Sequence, residues 1–538
     1  MNFIASRLSY AQTGFFSTIV ADYLSGNEKL SSFYQHSASP DGISSSIESR
    51  KKYNTNRELL VNELTKQYAA VTTTDAVKDN IHKLLSPNTF TICTAHQPNI
   101  FTGPLYFIYK ILHAAKLSAE LKKEMPQYDF IPVYYMGSED ADLDELNNIT
   151  IQGNKLVWQT KQTGAVGRMN VDDELLKLIT AINGQISVLP NGKELVQLFV
   201  DCYRKGNTIQ QATFELVNKL FGEFGVIVLV PDNAELKKAF IPVAEKELLT
   251  GFSHPLVEAT GSELSKYYKV QAGGREVNLF YLIDDKRERI EMKSGQYSVG
   301  SLSKGLPSEQ LRFSEQEILS ELNNHPERFS PNVILRGVFQ EMILPNIAFI
   351  GGGGEVAYWL ELKKVFEAVN VPYPMLVLRN SFLLMDEEQK QKADKLELST
   401  TDLFLPELEL LKRLVTKRTK HELSLTDEVN DMKKVYEKLK QKASPVDKTL
   451  LPHIESLFVK AQKRIEELEK KILRAEKRKY EAEQRQIHSL KQSLFPNSLQ
   501  ERAENFSYYY SLYGKDWMKM IYDNSPGLEQ EFVVLSEG

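Results

Sequence analysis

Three polar clusters in this sequence each follow a strand-like apolar run, and each could handle charged small molecules. The first is Thr94-Ala95-His96-Gln97-Pro98-Asn99-Ile100-Phe101-Thr102-Gly103-Pro104, directly after Phe90-Thr91-Ile92-Cys93. In parallel α/β sheets, ligands bind at turns that leave the carboxyl ends of strands. Small residues beside a helix start favour phosphate there. His96 suits donation to a phosphate or to charge that develops in acyl transfer. Asn99, Thr102 and Gly103 are the accompanying candidate substrate- or nucleotide-binding residues. The plainer reading is that Pro98 and Gly103 shape a turn that His96 caps.

The second cluster is Ser138-Glu139-Asp140-Ala141-Asp142-Leu143-Asp144-Glu145, in which five carboxylates fall within seven residues. They repel one another unless something positive sits among them. Mg²⁺, a substrate ammonium group, or protein Lys and Arg would all serve. Asp144 and Glu145 read as the acidic start of a helix. Glu139 and Asp140, nearest the strand end, are the candidates for chemistry.

The third cluster is Gly351-Gly352-Gly353-Gly354-Glu355, between apolar Ile347-Ala348-Phe349-Ile350 and an expected helix. Consecutive glycines leave backbone N–H groups open to an anion or a close-lying ligand. The run is neither a Walker A motif nor G-x-G-x-x-G. Just upstream, Arg336 has the planar fork of a phosphate or carboxylate clamp, and equally of a structural ion pair. No H-x-x-x-H spacing suggests zinc, and no G-x-S-x-G elbow occurs. No metal-ligating set is assigned.

Positioning these clusters requires an α/β scaffold. Strands are expected at Phe90–Thr94, Phe130–Met136 and Gly225–Val230, with a helix from about Leu105 to Lys123. Strands separated by helices imply βαβ units and a doubly wound, Rossmann-like parallel sheet. Residues 1–85 read as helical, and the segments near 160–220 and 255–330 as polar insertions rather than sheet. A catalytic core over 1–395, a helical coiled-coil domain over 396–498 and a tail over 499–538 packing back on the core are the expected divisions. Residues 425–442 read as one helix, Ser444-Pro445 as a break, and the next helix as continuous to Phe495-Pro496-Asn497. It carries a heptad row of Ile454, Ala461, Leu468, Ala475 and Ala482, with Phe458, Ile465 and Ile472 beside it.

Bulk properties narrow the function. The 538 residues are 42% hydrophobic and 25% charged, with a formal net charge of −5, which disfavours nucleic-acid binding as the main task. Only two cysteines occur, Cys93 and Cys202, so a disulfide framework is excluded. Neither a signal peptide nor an apolar run of membrane-spanning length is present, so a soluble, cytoplasmic protein is expected.

Five segments, in order, carry a resemblance. They are Thr102-Gly103-Pro104-Leu105-Tyr106 with Ile108-Tyr109-Lys110; Glu139-Asp140 with Asp142 and Glu145; and Phe329-Ser330-Pro331-Asn332-Val333 with Arg336. The fourth is Ala348-Phe349-Ile350-Gly351-Gly352 with Gly354-Glu355 and Tyr358-Trp359, and the last is Leu494-Phe495-Pro496-Asn497 with Leu499-Gln500-Glu501-Arg502. Together they resemble the BshC family, cysteine ligases of bacillithiol biosynthesis. The resemblance implies a Rossmann-like core related to class I aminoacyl-tRNA synthetases, with insertions and a C-terminal antiparallel coiled coil that pairs subunits as a homodimer. It implies that L-cysteine is joined to the amine of glucosaminyl-malate, with ATP and Mg²⁺ activating the cysteine carboxylate. His96 and Asn99 would then face the nucleotide phosphates. Glu139 or Asp140 would hold an ammonium group or accept the proton of the attacking amine, while Arg336 and Gly351 to Glu355 line the pocket. The chain departs from the family pattern at Ala95-His96, at Ala141 and at Gly353. Lys293-Ser294 and Ser303-Lys304-Gly305 are the weak counterparts of the synthetases' mobile lysine loop. A nucleotidyl or acyl transferase on the same scaffold, and a non-catalytic metabolite-binding scaffold, are the competing readings.

Overall fold

The computed structural model describes residues 3–271, 273–283, 285–300, 311–419, 424–496 and 498–538. Ser303, Lys304, Gly305 and Asn497 lie outside them.

The core strand β1 (Thr89–His96) is β-branched and aromatic, and its first six residues are buried, as a strand covered on both faces requires. It leads through a tight turn into helix α1 (Tyr106–Glu124), which packs on β1 and on β2 (Asp129–Met136). Pro132, which has no N–H to donate, sits one residue before the point where β3 (Ile227–Leu229) begins to pair with β2. Helix α2 (Val333–Ile343) is capped by the Asn332 side chain, which accepts from the backbone N–H of Ile334 at 2.9 Å. It precedes β4 (Asn346–Gly351), helix α3 (Gly353–Trp359) and β5 (Met375–Leu378).

The sheet runs β5-β4-β1-β2-β3, with every neighbouring pair parallel. From β1 the chain winds outward through β2 and β3, then returns to the other side for β4 and β5. Strand order therefore reverses between β1 and β4. The carboxyl ends of those two strands form the crevice where open α/β sheets bind ligands. A doubly wound core is what the alternation of strands and helices predicts.

Two regions differ from the sequence reading. Residues 255–330, expected to lack sheet, contain strands Leu279–Ile283, Lys286–Lys293, Gln296–Val299 and Leu311–Phe313. With Phe329–Pro331 they form an antiparallel five-stranded sheet. The charge of Lys286–Lys293 hid a strand in which Ile290 alone is buried and the rest are half-exposed or exposed. Lys293-Ser294 belongs to its hairpin: Ser294 and Gly295 have φ of 53° and 78°, the turn that Ser-Gly favours. Lys293 pairs with Glu291 at 3.0 Å on the exposed side of the hairpin, away from the residues that line the cavity described below. Residues 1–85 include a strand, Phe3–Ser9, which joins Glu531–Glu537 in a three-stranded sheet.

Contacts divide the chain into a unit of Met1–Leu384 with Ser498–Leu535, and a second of Met385–Asn497 with Ser536–Gly538. The second unit is helical. Thr426–Ala443 and Leu450–Lys477 form an antiparallel hairpin, with Tyr436 against Phe458 at 5.5 Å and Lys440 paired to Glu455 at 2.5 Å. The expected continuous helix is interrupted by a 3₁₀ turn at Arg478–Tyr480 before Glu481–Leu494. The interruption falls where the heptad row gives way to Lys479. Among the described residues no helix is long and apolar enough to cross a membrane.

Candidate functional site

A cavity of about 410 Å³ opens at the reversal point between β1 and β4. Ala95, His96 and Gln97 line it from the end of β1; Gly352 to Glu355 and Tyr358 from the start of α3; and Arg336 from α2. Tyr106, Arg379 and Arg502 complete the polar wall. Several N–H donors thus meet at one place.

His96 lies edge-on to Tyr106 and Phe107, with ring centroids 5.4 and 5.6 Å away. Burial holds its imidazole well below the usual histidine range, and the nearby charges of Lys110 and Arg379 push the same way. The ring is therefore neutral at physiological pH. Its buried Nε2 has no partner among the described residues. A neutral imidazole can donate one hydrogen bond to an anion without carrying a charge into the site.

The arginines differ in how they are committed. Arg336 clamps Asp140 through both terminal nitrogens. Arg379, just past the end of β5, donates to Glu501 at 2.8 Å and to Ser381 at 3.1 Å, with its guanidinium 4.9 Å from the Tyr106 ring centroid. Arg502 is exposed, has no acidic partner among the described residues, and lies 5.8 Å from the Phe16 ring centroid. Burial pushes the Tyr106 hydroxyl up to about 12, so it stays protonated.

Glu139 and Asp140 do not line the cavity. Glu139 is bonded by the buried Lys237 and by the Ser330 hydroxyl at 3.1 Å. Asp140 carries Arg336 and, at 3.6 Å, Arg287. Protein cations thus compensate Glu139 and Asp140, and neither carboxylate is open to a substrate ammonium group or an amine proton. Asp232 extends the network, binding Arg168 through two contacts of 2.7 Å. For the same reason Glu139 and Asp140 do not fit Mg²⁺: their oxygens already accept from Lys237, Ser330 and Arg336. A divalent ion suits this cavity only as a companion of substrate phosphates.

Asn99, Thr102 and Gly103 also lie away from the cavity lining, because the turn they form is fastened elsewhere. Phe101, Thr102 and Gly103 have φ of 49°, 69° and 63°. Asn505 donates to the carbonyls of Phe101 (2.9 Å) and Gly103, and Leu105 N–H donates to Glu504 O at 2.8 Å. Gly103 is required there: a Cβ would lie 2.8 Å from Asn99 at positive φ.

The glycine run has mixed causes. A Cβ at Gly351 would meet the Phe349 ring at 2.9 Å, so that glycine serves packing and does not line the cavity. At Gly354 a Cβ would meet nothing within 4 Å, so the fold itself does not demand glycine. Gly352 N–H is already occupied, donating to Glu355 Oε2 at 2.7 Å. Glu355 Oε2 also accepts from Lys110 at 2.6 Å, and Lys110 donates to Ala95 O at 2.6 Å.

Sequence reading brought His96, Arg336 and the residues from Gly352 to Glu355 to this place, and missed Tyr106, Lys110, Tyr358, Arg379 and Arg502 as site residues. Arg379 directly follows the apolar run Met375–Leu378, a strand-end signal that was available. Arg502 closes the last of the five resemblance segments, but nothing in that segment ties it to a cavity some 400 residues earlier in the chain.

Fold and site define a doubly wound α/β protein with an arginine-rich small-molecule cavity at its switch point and an added helical hairpin. Residues 3–380 match the family described as bacillithiol biosynthesis BshC, N-terminal Rossmann-like domain, and residues 382–537 match its C-terminal coiled-coil domain. A Flavobacterium johnsoniae protein named "Putative cysteine ligase BshC" is 40% identical over 98% of this chain and 99% of its own length. A protein of the same name from Christiangramia forsetii is 38% identical over 99% of each. The chain belongs to the BshC family.

Proposed function

We propose that the chain is an ATP-dependent carbon–nitrogen ligase that joins L-cysteine to the amine of glucosaminyl-malate in the cytoplasm. The observation that carries this reading is the cavity at the β1/β4 reversal, where neutral His96 and three arginines converge. An amine does not displace hydroxide from a carboxylate unaided, so the cysteine carboxylate is first converted to an adenylate or phosphate. The reaction then needs anion stabilisation and positioning more than covalent help from the protein. Arg502, free of acidic partners among the described residues, meets the phosphates of the nucleotide or a substrate carboxylate. His96 donates to the oxygen on which negative charge develops. Mg²⁺ would neutralise the nucleotide phosphates.

Incubating the purified chain with ATP, Mg²⁺, L-cysteine and glucosaminyl-malate tests this directly, with bacillithiol read by mass spectrometry. Product is expected from the unsubstituted chain, and Arg502→Gln should raise KM about tenfold with a smaller effect on kcat. Absence of product from folded protein refutes ligation, and binding of the same compounds without turnover would then favour a metabolite-binding scaffold.

We further propose that the helical unit pairs two copies of the chain. Leu450, Leu457 and Leu468, on one face of their helix, are 40–51% exposed, and the hairpin of Thr426–Ala443 and Leu450–Lys477 buries none of its apolar side chains fully. Such a stripe calls for cover. Light scattering should give twice the chain mass, and Leu457→Glu with Leu468→Glu should halve it.

A further inference from the structure

We propose that Glu355 is the residue that takes the proton from the attacking amine, and that buried Lys110 is the positioning residue that aims it. This inference rests on the ligase reading and assigns the base within the same cavity. Among the described residues lining that cavity, Glu355 is the one carboxylate. Its side chain is 26% exposed, against 9% for Glu139 and 7% for Asp140, neither of which lines the cavity and both of which are bound to protein cations.

The two oxygens of Glu355 are unequally engaged. Oε2 accepts from Gly352 N–H at 2.7 Å and from Lys110 Nζ at 2.6 Å. Oε1 has no partner among the described residues. Two donors on one oxygen fix the carboxylate plane while leaving the other oxygen a free acceptor. Lys110 is itself held by Ala95 O at 2.6 Å, so it ties the end of β1 to the start of α3 across the strand reversal. Its side chain is 2% exposed, too buried to reach a ligand.

In the step assigned here, the acceptor nitrogen attacks the activated carbonyl carbon of cysteine and a C–N bond forms. The bond from that carbon to the phosphate or adenylate oxygen breaks, and its electron pair leaves with that oxygen. The proton lost by nitrogen passes to Glu355 Oε1, which returns it to solvent.

Rates of bacillithiol formation by the full chain, measured across pH with saturating ATP, provide the test. Glu355→Gln should lower kcat about 10²- to 10⁴-fold, with KM for ATP within about twofold. Because Glu355→Gln strands the Lys110 charge, the double variant Glu355→Gln with Lys110→Met serves as the folded control. It should melt near the unsubstituted chain and be equally inactive. Lys110→Met alone should lower kcat about tenfold, leaving KM in place. A folded double variant that turns over at the unsubstituted rate overturns the inference while leaving the ligase reading intact. Absence of product from the unsubstituted chain overturns the ligase reading, and this inference with it.

Discussion

Gly351 and Gly354 are three residues apart in one glycine run, yet substitution should affect them in opposite ways. At Gly351 an added methyl group presses on the Phe349 ring at 2.9 Å and on the Glu355 Cβ at 3.0 Å. Both belong to well-packed elements, so Gly351→Ala should destabilise by about 1–3 kcal/mol, read as a lower urea midpoint. At Gly354 the same position opens on free space at the cavity wall. Gly354→Leu should leave the unfolding free energy from urea titration within about 0.5 kcal/mol of the parent while sharply weakening ligand binding by calorimetry. Loss of stability at Gly354, or unchanged binding, would contradict its place in the wall. The sequence shows four equivalent glycines; what each one faces comes from the tertiary structure. The acidic cluster has the same lesson. Its charge density asks for cations, but Lys237, Arg287 and Arg336 arrive from positions far along the chain. For that reason Asp140→Ala is a poor probe of catalysis. It strands Arg336 beside partly buried Arg287, so a cost of about 3–5 kcal/mol is expected, visible in denaturation before any assay is read.

Among elements, the turn between β1 and α1 is the one most dependent on distant chain. Two non-glycine residues in succession, Phe101 and Thr102, adopt left-handed backbone, a conformation that costs about 1–2 kcal/mol per residue. The turn persists because it is held from several sides. Phe101 N–H donates to the Tyr203 hydroxyl at 2.8 Å, and its ring packs on Phe199 and Tyr203 at 4.8 and 4.6 Å. Asn505, fully buried, satisfies two of its carbonyls. Asn505→Ala should therefore cost about 2–4 kcal/mol, since it leaves two buried carbonyls unpaired. Urea denaturation measures the loss, and a change below about 0.5 kcal/mol would mean that the turn is held without it. The strand-turn-helix order here was legible because apolar β-branched residues give way to proline, glycine and then a helical pattern. The purpose of Thr102 and Gly103 was not, because the residue they answer to lies some 400 positions later. Likewise Lys286–Lys293 is legible as a strand only through its Ser-Gly hairpin, since neither face is wholly apolar.

For the molecule as a whole, acid should act through buried histidines. His113 is 0% exposed; its Nε2 donates to Gly527 O at 2.7 Å while its Nδ1 accepts from Asn380 N–H at 3.2 Å. That neutral tautomer joins the tail to the chain just beyond β5, and a second ring proton would face an N–H donor. Burial holds His113 down to about 4, and does the same for His36. In the unfolded chain both titrate near ~6.5. Between those values the unfolded state binds more protons than the folded one, so stability falls as pH drops. It is fully present above ~6.5, is lost progressively towards pH 4, and amounts to about 2 kcal/mol for each histidine by pH 5. Trp158, Trp359 and Trp517 all lie in the unit that contains the cavity, so tryptophan fluorescence reports its unfolding alone. The urea midpoint should fall between pH 7 and pH 5. His113→Gln should start lower, having lost a fitted pair of hydrogen bonds, yet its decline with pH should be shallower by the share of one histidine. An unchanged slope in that variant would show that His113 is free to protonate in the folded chain, and that the tail is fastened by other contacts.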